Sequence, residues 1–215
     1  MTNAKPSGRS QKAAARRETI VHAALDEFIE RGFAAARMED IASRAGVAKG
    51  TIYLHFKDKE ALFEGIVRQE ILLPPGSAAM DEIKPGEMVR AFIERTMVPL
   101  VRHAGQSRRA AVVRLVISEA PRFPGLAKAY YRVAIERGLN VFGGLARRAR
   151  RTGELNGNAL ERFPQLFVAP VILGILWSGL FERFHHLDVE AMLRAHLDLI
   201  FGPAPKPKPS RSKRG

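Results

Sequence analysis

Seven residues, Lys49-Gly-Thr-Ile-Tyr-Leu-His55, carry an amine, a hydroxyl, a phenol and an imidazole within a span that contains no acid. Wound as a helix, the segment sets Lys49 and Tyr53 four apart on one outward edge and Thr51 and His55 on another. Ile52 and Phe56, also four apart, fall on the edge that suits a core. Gly50 leaves its backbone bare, so a partner could approach closely. Leu54 is apolar on the exposed side, where a thymine methyl could cover it. These groups form no nucleophile–base constellation and show no metal-ligand spacing. Their chemistry is recognition: donors and acceptors placed to reach phosphates and base edges.

Such a helix needs a frame to hold it. Met38 to Ala45 reads as a short helix with Ile41, Ala42 and Ala45 facing inward. Gly46 ends it, since glycine readily takes the left-handed backbone that stops a helix. Val47 then points inward and the next helix starts near Lys49. A further helix opens at Asp58, a good N-cap residue, and lines up Leu62, Phe63, Ile66, Val67 and Ile71. Ahead of all this, a helix from about Arg16 to Arg31 stripes Ile20, Ala24, Leu25 and Phe28 on one face, with Gly32 as its stop. Two short helices around a tight turn make a helix-turn-helix, which places its second helix in the DNA major groove.

Residues 16–72 resemble the DNA-binding domain of the TetR family of bacterial transcriptional regulators. The resemblance is carried by Ala24, Phe28, Gly32, Phe33, Ile41, Ala42, Ala45, Gly46, Val47, Lys49 to Tyr53, His55, Phe56, Lys59, Leu62 and Phe63. It implies a homodimer on two half-sites of a pseudo-palindromic double-stranded operator. It also implies a second all-α domain that binds a small-molecule effector and dimerises. By the same resemblance Lys49, Gly50, Thr51, Tyr53, His55 and Lys59 touch DNA. Lys49 to Thr51 would approach base edges, and Tyr53, His55 and Lys59 would hold phosphates. Two positions depart from the pattern. Arg37 stands where Ser or Thr usually caps the second helix, and Ala48 where Ser often opens the third. Glu39 and Asp40 recover part of the lost cap through the helix dipole, and Arg37 is expected to replace a hydroxyl–phosphate contact with a charged one.

The 215-residue chain carries a net charge of +13. Residues 1–17 hold Lys5, Arg9, Lys12, Arg16 and Arg17 without an acid, and residues 203–215 hold Lys206, Lys208, Arg211, Lys213 and Arg214 likewise, leaving +3 on the body. Basic tails suit a polyanionic partner, because neutralising phosphates releases counterions. The N-terminal arm is expected to enter an adjacent minor groove; for the C-terminal tail, simple solubility is an equal alternative. With no cysteine, disulfides and thiolate metal sites are excluded,. No apolar region follows the basic N-terminus as in a signal peptide, and a cytoplasmic location is expected.

After Pro74-Pro75-Gly76, taken as the domain boundary, helices are expected near 86–104, 107–119, 124–152, 158–184 and 188–201, with a bend at Pro99 and no strand alternation. The expected organisation is therefore all-α: a disordered arm over 1–15, a helix-turn-helix domain over 16–73, an effector-binding and dimerisation domain over 77–202, and a Pro-rich tail over 203–215. Ile117-Ser-Glu-Ala120, Arg122-Phe-Pro-Gly-Leu126 and Arg151-Thr-Gly-Glu-Leu155 resemble the AefR-like type of TetR C-terminal domain. That resemblance pairs the helices at 158–184 and 188–201 with their twins in a dimer.

It also accounts for the apolar run at 163–181, whose Pro164, Gln165, Pro170 and Ser178 argue against a membrane span,. A ligand pocket is expected between helices 86–104, 107–119 and 124–152. Its candidate lining is Phe92, Met97, Arg114, Tyr130, Tyr131, Phe142 and Trp177, with packing in the core as the alternative for each aromatic. Arg114 could meet an anionic or carbonyl group of a ligand or pair with Glu119 or Glu136, the pair being favoured. His185, His186 and His196 are not expected to bind metal, since adjacent histidines point apart on a helix, and no cofactor is expected. The expected function is a non-enzymatic, sequence-specific transcriptional regulator, a repressor released from its operator by the effector. A membrane-associated basic helical protein and an activator of the same fold are the alternatives.

Overall fold

The computed structural model describes residues 8–71, 83–102, 105 and 107–203, and among them the chain is helical with no strand. The elements are α1 (Gly8–Ala35), α2 (Met38–Arg44), α3 (Lys49–His55), α4 (Lys59–Glu70), α5 (Val89–Val101) and α6 (Arg108–Glu119). There follow α7 (Pro124–Tyr130), a π-helical turn (Tyr131–Ile135) and α8 (Glu136–Arg151), which run on without a break. Last come α9 (Ala159–Arg162), a 3-10 turn (Pro164–Phe167), α10 (Ala169–Leu180) and α11 (Val189–Phe201). No helix among the described residues is long and apolar enough to cross a membrane.

Two expectations need correction. The first helix starts at Gly8, not Arg16, so residues 8–15 of the arm are helical; it breaks at Gly32 as expected, where the backbone turns through φ 76° and ψ 160°, and a short turn runs on to Ala35. The single helix expected over 158–184 is broken twice. Phe163, at φ −131° and ψ 67°, is pushed out of the helical region by the proline that follows it,. Pro170, which has no N–H to give, sits instead in the first turn of α10,. As expected, Pro99 falls inside a helix, α5, which runs on to Val101. The proposed boundary at Pro74-Pro75-Gly76 lies outside the described residues, as do residues 1–7 and the tail from 204.

That boundary does not divide the core. Phe28, Phe33, Ile41, Ile52, Leu62, Phe63 and Ile66 of the N-terminal helices are buried together with Val112 and Leu115 of α6 and Leu126, Ala129 and Val133 beyond it. Phe33 is the join: its ring meets Phe28 at 5.1 Å, Phe63 at 6.5 Å and Phe123 of the C-terminal half at 5.1 Å. A second core, built on Phe92, Met97, Phe142, Phe167, Leu193 and Leu197, belongs to the C-terminal half alone. Around the first core runs a polar clasp. Arg108 donates to Asp26 at 2.9 Å, to Glu70 at 3.1 Å and to the His22 carbonyl at 3.0 Å. Arg109 donates to the Glu70 carbonyl at 2.7 Å, and Arg132 pairs with Glu64 on α4.

Candidate nucleic-acid interface

The turn between α2 and α3 is built as its residues require. Gly46 has φ 66°, and its N–H donates to the Ser43 carbonyl at 3.0 Å while that of Val47 donates to Ala42 at 2.9 Å. The carbonyls left over at the end of α2 are thereby satisfied. Ile52 and Phe56 are buried, which fixes the rotation of α3 and turns its other edges outward. Phe56 also receives the Arg17 guanidinium over its ring at 4.8 Å. Gly65 of α4 makes room for this stack, because a Cβ there would lie 2.7 Å from Phe56 Cε1. Thus the arm helix is pinned where it meets the recognition unit.

The outward face carries what a groove reader needs. Tyr53 is 45% exposed and Leu54 84% exposed; Gly50 has open space around it. Thr51 and His55 are half-buried beside them. Lys49 is exposed but occupied: its ammonium lies 2.7 Å from Glu39 Oε1 at the start of α2. That hydrogen bond holds the Glu39 carboxyl below its ordinary range and raises the Lys49 ammonium above its own.

Lys59 departs further from a free phosphate ligand. Its Nζ donates to the carbonyls of Phe33 at 2.6 Å and Ala34 at 3.0 Å and lies 4.9 Å from the Phe33 ring centre. Two of its three donors are therefore spent on the end of α1. Arg37 is exposed at the start of α2, makes no side-chain cap, and forms no ion pair among the described residues. Ala48 likewise caps α3 with backbone alone, whereas Asp58 accepts the Ala61 N–H at 2.7 Å as a capping aspartate should.

Sequence reasoning missed the brace behind this surface. Glu27, only 2% exposed, meets Arg31 Nε at 2.9 Å and Arg44 Nε at 3.2 Å, and Arg44 donates to Glu30 Oε1 at 2.7 Å. The Glu27–Arg31 spacing was a visible i,i+4 signal. Nothing local links Arg44 to Glu27 or Glu30, because the pairing exists only after α2 folds back on α1.

The seven residues expected to line a pocket are dispersed. Phe92, Met97 and Phe142 fill the second core, with Phe142 stacked on Phe167 at 5.5 Å. Tyr130 packs between the cores, its phenol raised above the ordinary range by burial, while Tyr131 is 54% exposed. Trp177 donates Nε1–H to the His185 carbonyl at 2.7 Å. Arg114 forms no pair with Glu119 or Glu136; its Nη1 donates to the Gly105 carbonyl at 2.9 Å. It does line a cavity of about 360 Å³ between α1, α6 and α10.

A three-helix reading head joined by a shared core to a larger helical body is the arrangement of a DNA-binding regulator. Residues 20–66 match the family described as bacterial regulatory proteins, tetR family, and residues 89–207 match the AefR-like transcriptional repressor C-terminal domain. The chain belongs to the TetR family of transcriptional regulators. It is 32% identical over 170 residues to the HTH-type transcriptional repressor BepR of Brucella suis biovar 1 (strain 1330), covering 74% of this chain and 78% of BepR. A TetR-family regulator structure from Rhodococcus sp. shares the fold at a TM-score of 0.70 and 20% identity, over 87% of this chain and 99% of that one. NalD, the secondary repressor of the MexAB-OprM multidrug efflux pump in Pseudomonas aeruginosa, does so at 0.67 and 20%, over 88% and 98%.

Proposed function

We propose that the protein is a cytoplasmic repressor that binds a pseudo-palindromic operator as a homodimer and leaves it when a small molecule binds its C-terminal half. The observation that carries this reading is the core shared by α1 and α4 with α6 and α7. A shift of α6 must pass to the helices that hold α3, since a close-packed core transmits displacement rather than absorbing it. In a dimer that shift changes the separation of two recognition helices, which must match half-sites near one helical turn apart. The repressor roles of BepR and NalD support the sign of regulation. Dimerisation is supported by the apolar side chains left exposed on the last elements, among them Phe163, Leu173, Phe181 and Phe184. Lys49, Gly50 and Thr51 approach base edges in this proposal, with Arg37, Tyr53 and His55 on phosphates. A footprint across the protein's own upstream region, repeated with candidate ligands, tests the reading. Two protected half-sites that disappear with one ligand are expected; protection that no ligand weakens removes the effector from the proposal.

A further inference from the structure

The effector site proposed from the sequence is filled by core side chains, but the join between reading head and body is not. There Phe28, Ile29 and Gly32 of α1 face Leu115 and Glu119 of α6 and Leu180 of α10 across the 360 Å³ cavity. Its size falls at the lower end of small-molecule pockets, about 300–1,000 Å³. The walls are mostly apolar. Three polar residues interrupt them, Arg114, Ser118 and Glu119, and of these Glu119 has a carboxylate oxygen, Oε2, that is buried without a hydrogen-bond partner. Its Oε1 approaches the point where a Cβ on Gly32 would stand to 3.4 Å, so the carboxylate lies against the bend of α1. The cation on the same helix does not serve it: Arg114 lines the same cavity but is turned to the Gly105 carbonyl and forms no ion pair with Glu119. A buried carboxylate oxygen without a donor is costly, and a ligand that brings a cationic donor removes the cost.

The geometry points to this cavity as the binding site for an amphipathic amine, its ammonium on Glu119 and its apolar body between α1, α6 and α10. The inference rests on the effector-released reading above and gives that effector a place and a chemical class. It also supplies a mechanical link. The occupant presses on Ile29 and Gly32, one residue before the Phe33 and Ala34 carbonyls that hold Lys59 and so the start of α4. A wedge there separates α1 from α6 at the point where the recognition unit is suspended.

The test uses the full chain and n-decylammonium as probe, with n-decanol and decanoate as neutral and anionic controls at submicellar concentration. Binding is read from Trp177, the chain's single tryptophan, which follows the cavity residue Leu176. Saturable binding of decylammonium, roughly tenfold tighter than decanol and lost by a similar factor in Glu119→Gln, is expected for a charge-assisted hydrogen bond. Ile117→Lys places a cation at the rim on a side chain already 47% exposed; it must weaken decylammonium as well, and it keeps the test open if Glu119→Gln fails to fold. Equal affinity for decanol, or unchanged affinity in the variants, overturns the site. Operator release is measured in parallel. Glu119-dependent binding that leaves operator affinity unchanged upholds the site and removes the effector reading. Release by another compound, with no decylammonium binding, upholds the reading and removes this site.

Discussion

Cations are used in opposite ways on the two sides of α4. On the side of α3 they stay at the surface: Lys49 and Arg37 stand exposed, Lys49 held only by the likewise exposed Glu39, beside the exposed Tyr53 and Gly50. On the side of α6 they are consumed: Arg108 satisfies Asp26, Glu70 and the His22 carbonyl at once, and Arg109 and Arg132 close on the same helix. One surface faces outward and the other locks two halves together. What decides is the company each cation keeps. Residues 18–72 hold more acids than bases, so the reading head gains its attraction from the arrangement of a few groups and from the basic arm rather than from bulk charge.

The sharpest way to break this comparison is to cut the join itself. Phe33→Ala removes the ring that links Phe28 and Phe63 to Phe123 and should destabilise the fold by about 3–5 kcal/mol. Thermal unfolding followed by circular dichroism should keep a single transition at a lower midpoint. Two separated transitions would show that the halves fold independently and that the clasp transmits nothing.

Next in size is Gly65→Ala. The new methyl drives into Phe56, the residue that fixes α3 and receives Arg17. Overpacking of this kind costs about 1–3 kcal/mol, and operator affinity should fall along with stability because α3 rotates. An affinity that holds while the melting temperature drops would separate the Arg17–Phe56 stack from the reading of DNA.

The unequal legibility of the two regions has the same physical root. Helix, turn and cap in the head are local features: Gly46 needs only its own backbone, Asp58 reaches three residues along, and Ile52 and Phe56 sit one turn apart. The all-α class and the family were legible from these. The pocket was not, because whether Phe92 or Phe142 lines a void or fills a core depends on Phe167 and Leu193, from helices far along the chain. Glu119 carried no signal either; its missing partner is visible only once α1 and α10 close around it.

A smaller effect tests presentation directly. Glu39→Gln removes the charge that holds Lys49 and should raise operator affinity by a few-fold at most, since exposed ion pairs are weak. Acidification should do the same. The Glu39 carboxyl is held below its ordinary range by Lys49, so its contribution to stability is complete above the ordinary carboxylate pKa and fades as pH falls through the lowered one, freeing the ammonium. Gel-shift titrations of the variant decide the point: a weaker complex would mean that Glu39 aims Lys49 rather than restraining it.

The smallest effect is the most specific. Arg37 caps α2 with backbone only, and the fold gives its charge only a minor part, helping Lys49 hold the Glu39 carboxyl low. Against DNA it has a use, as a charged substitute for the hydroxyl that this position usually offers a phosphate. Arg37→Ala should therefore leave the melting temperature within about 0.5 kcal/mol of the parent, as for an exposed surface change. The slope of log affinity against log salt should fall by about one unit, the mark of one lost phosphate contact. Both readings are needed. An unchanged slope makes Arg37 ordinary surface, while a lowered melting temperature with the slope intact would assign it to the start of α2, with the dipole-facing Glu39 and Asp40 as its partners.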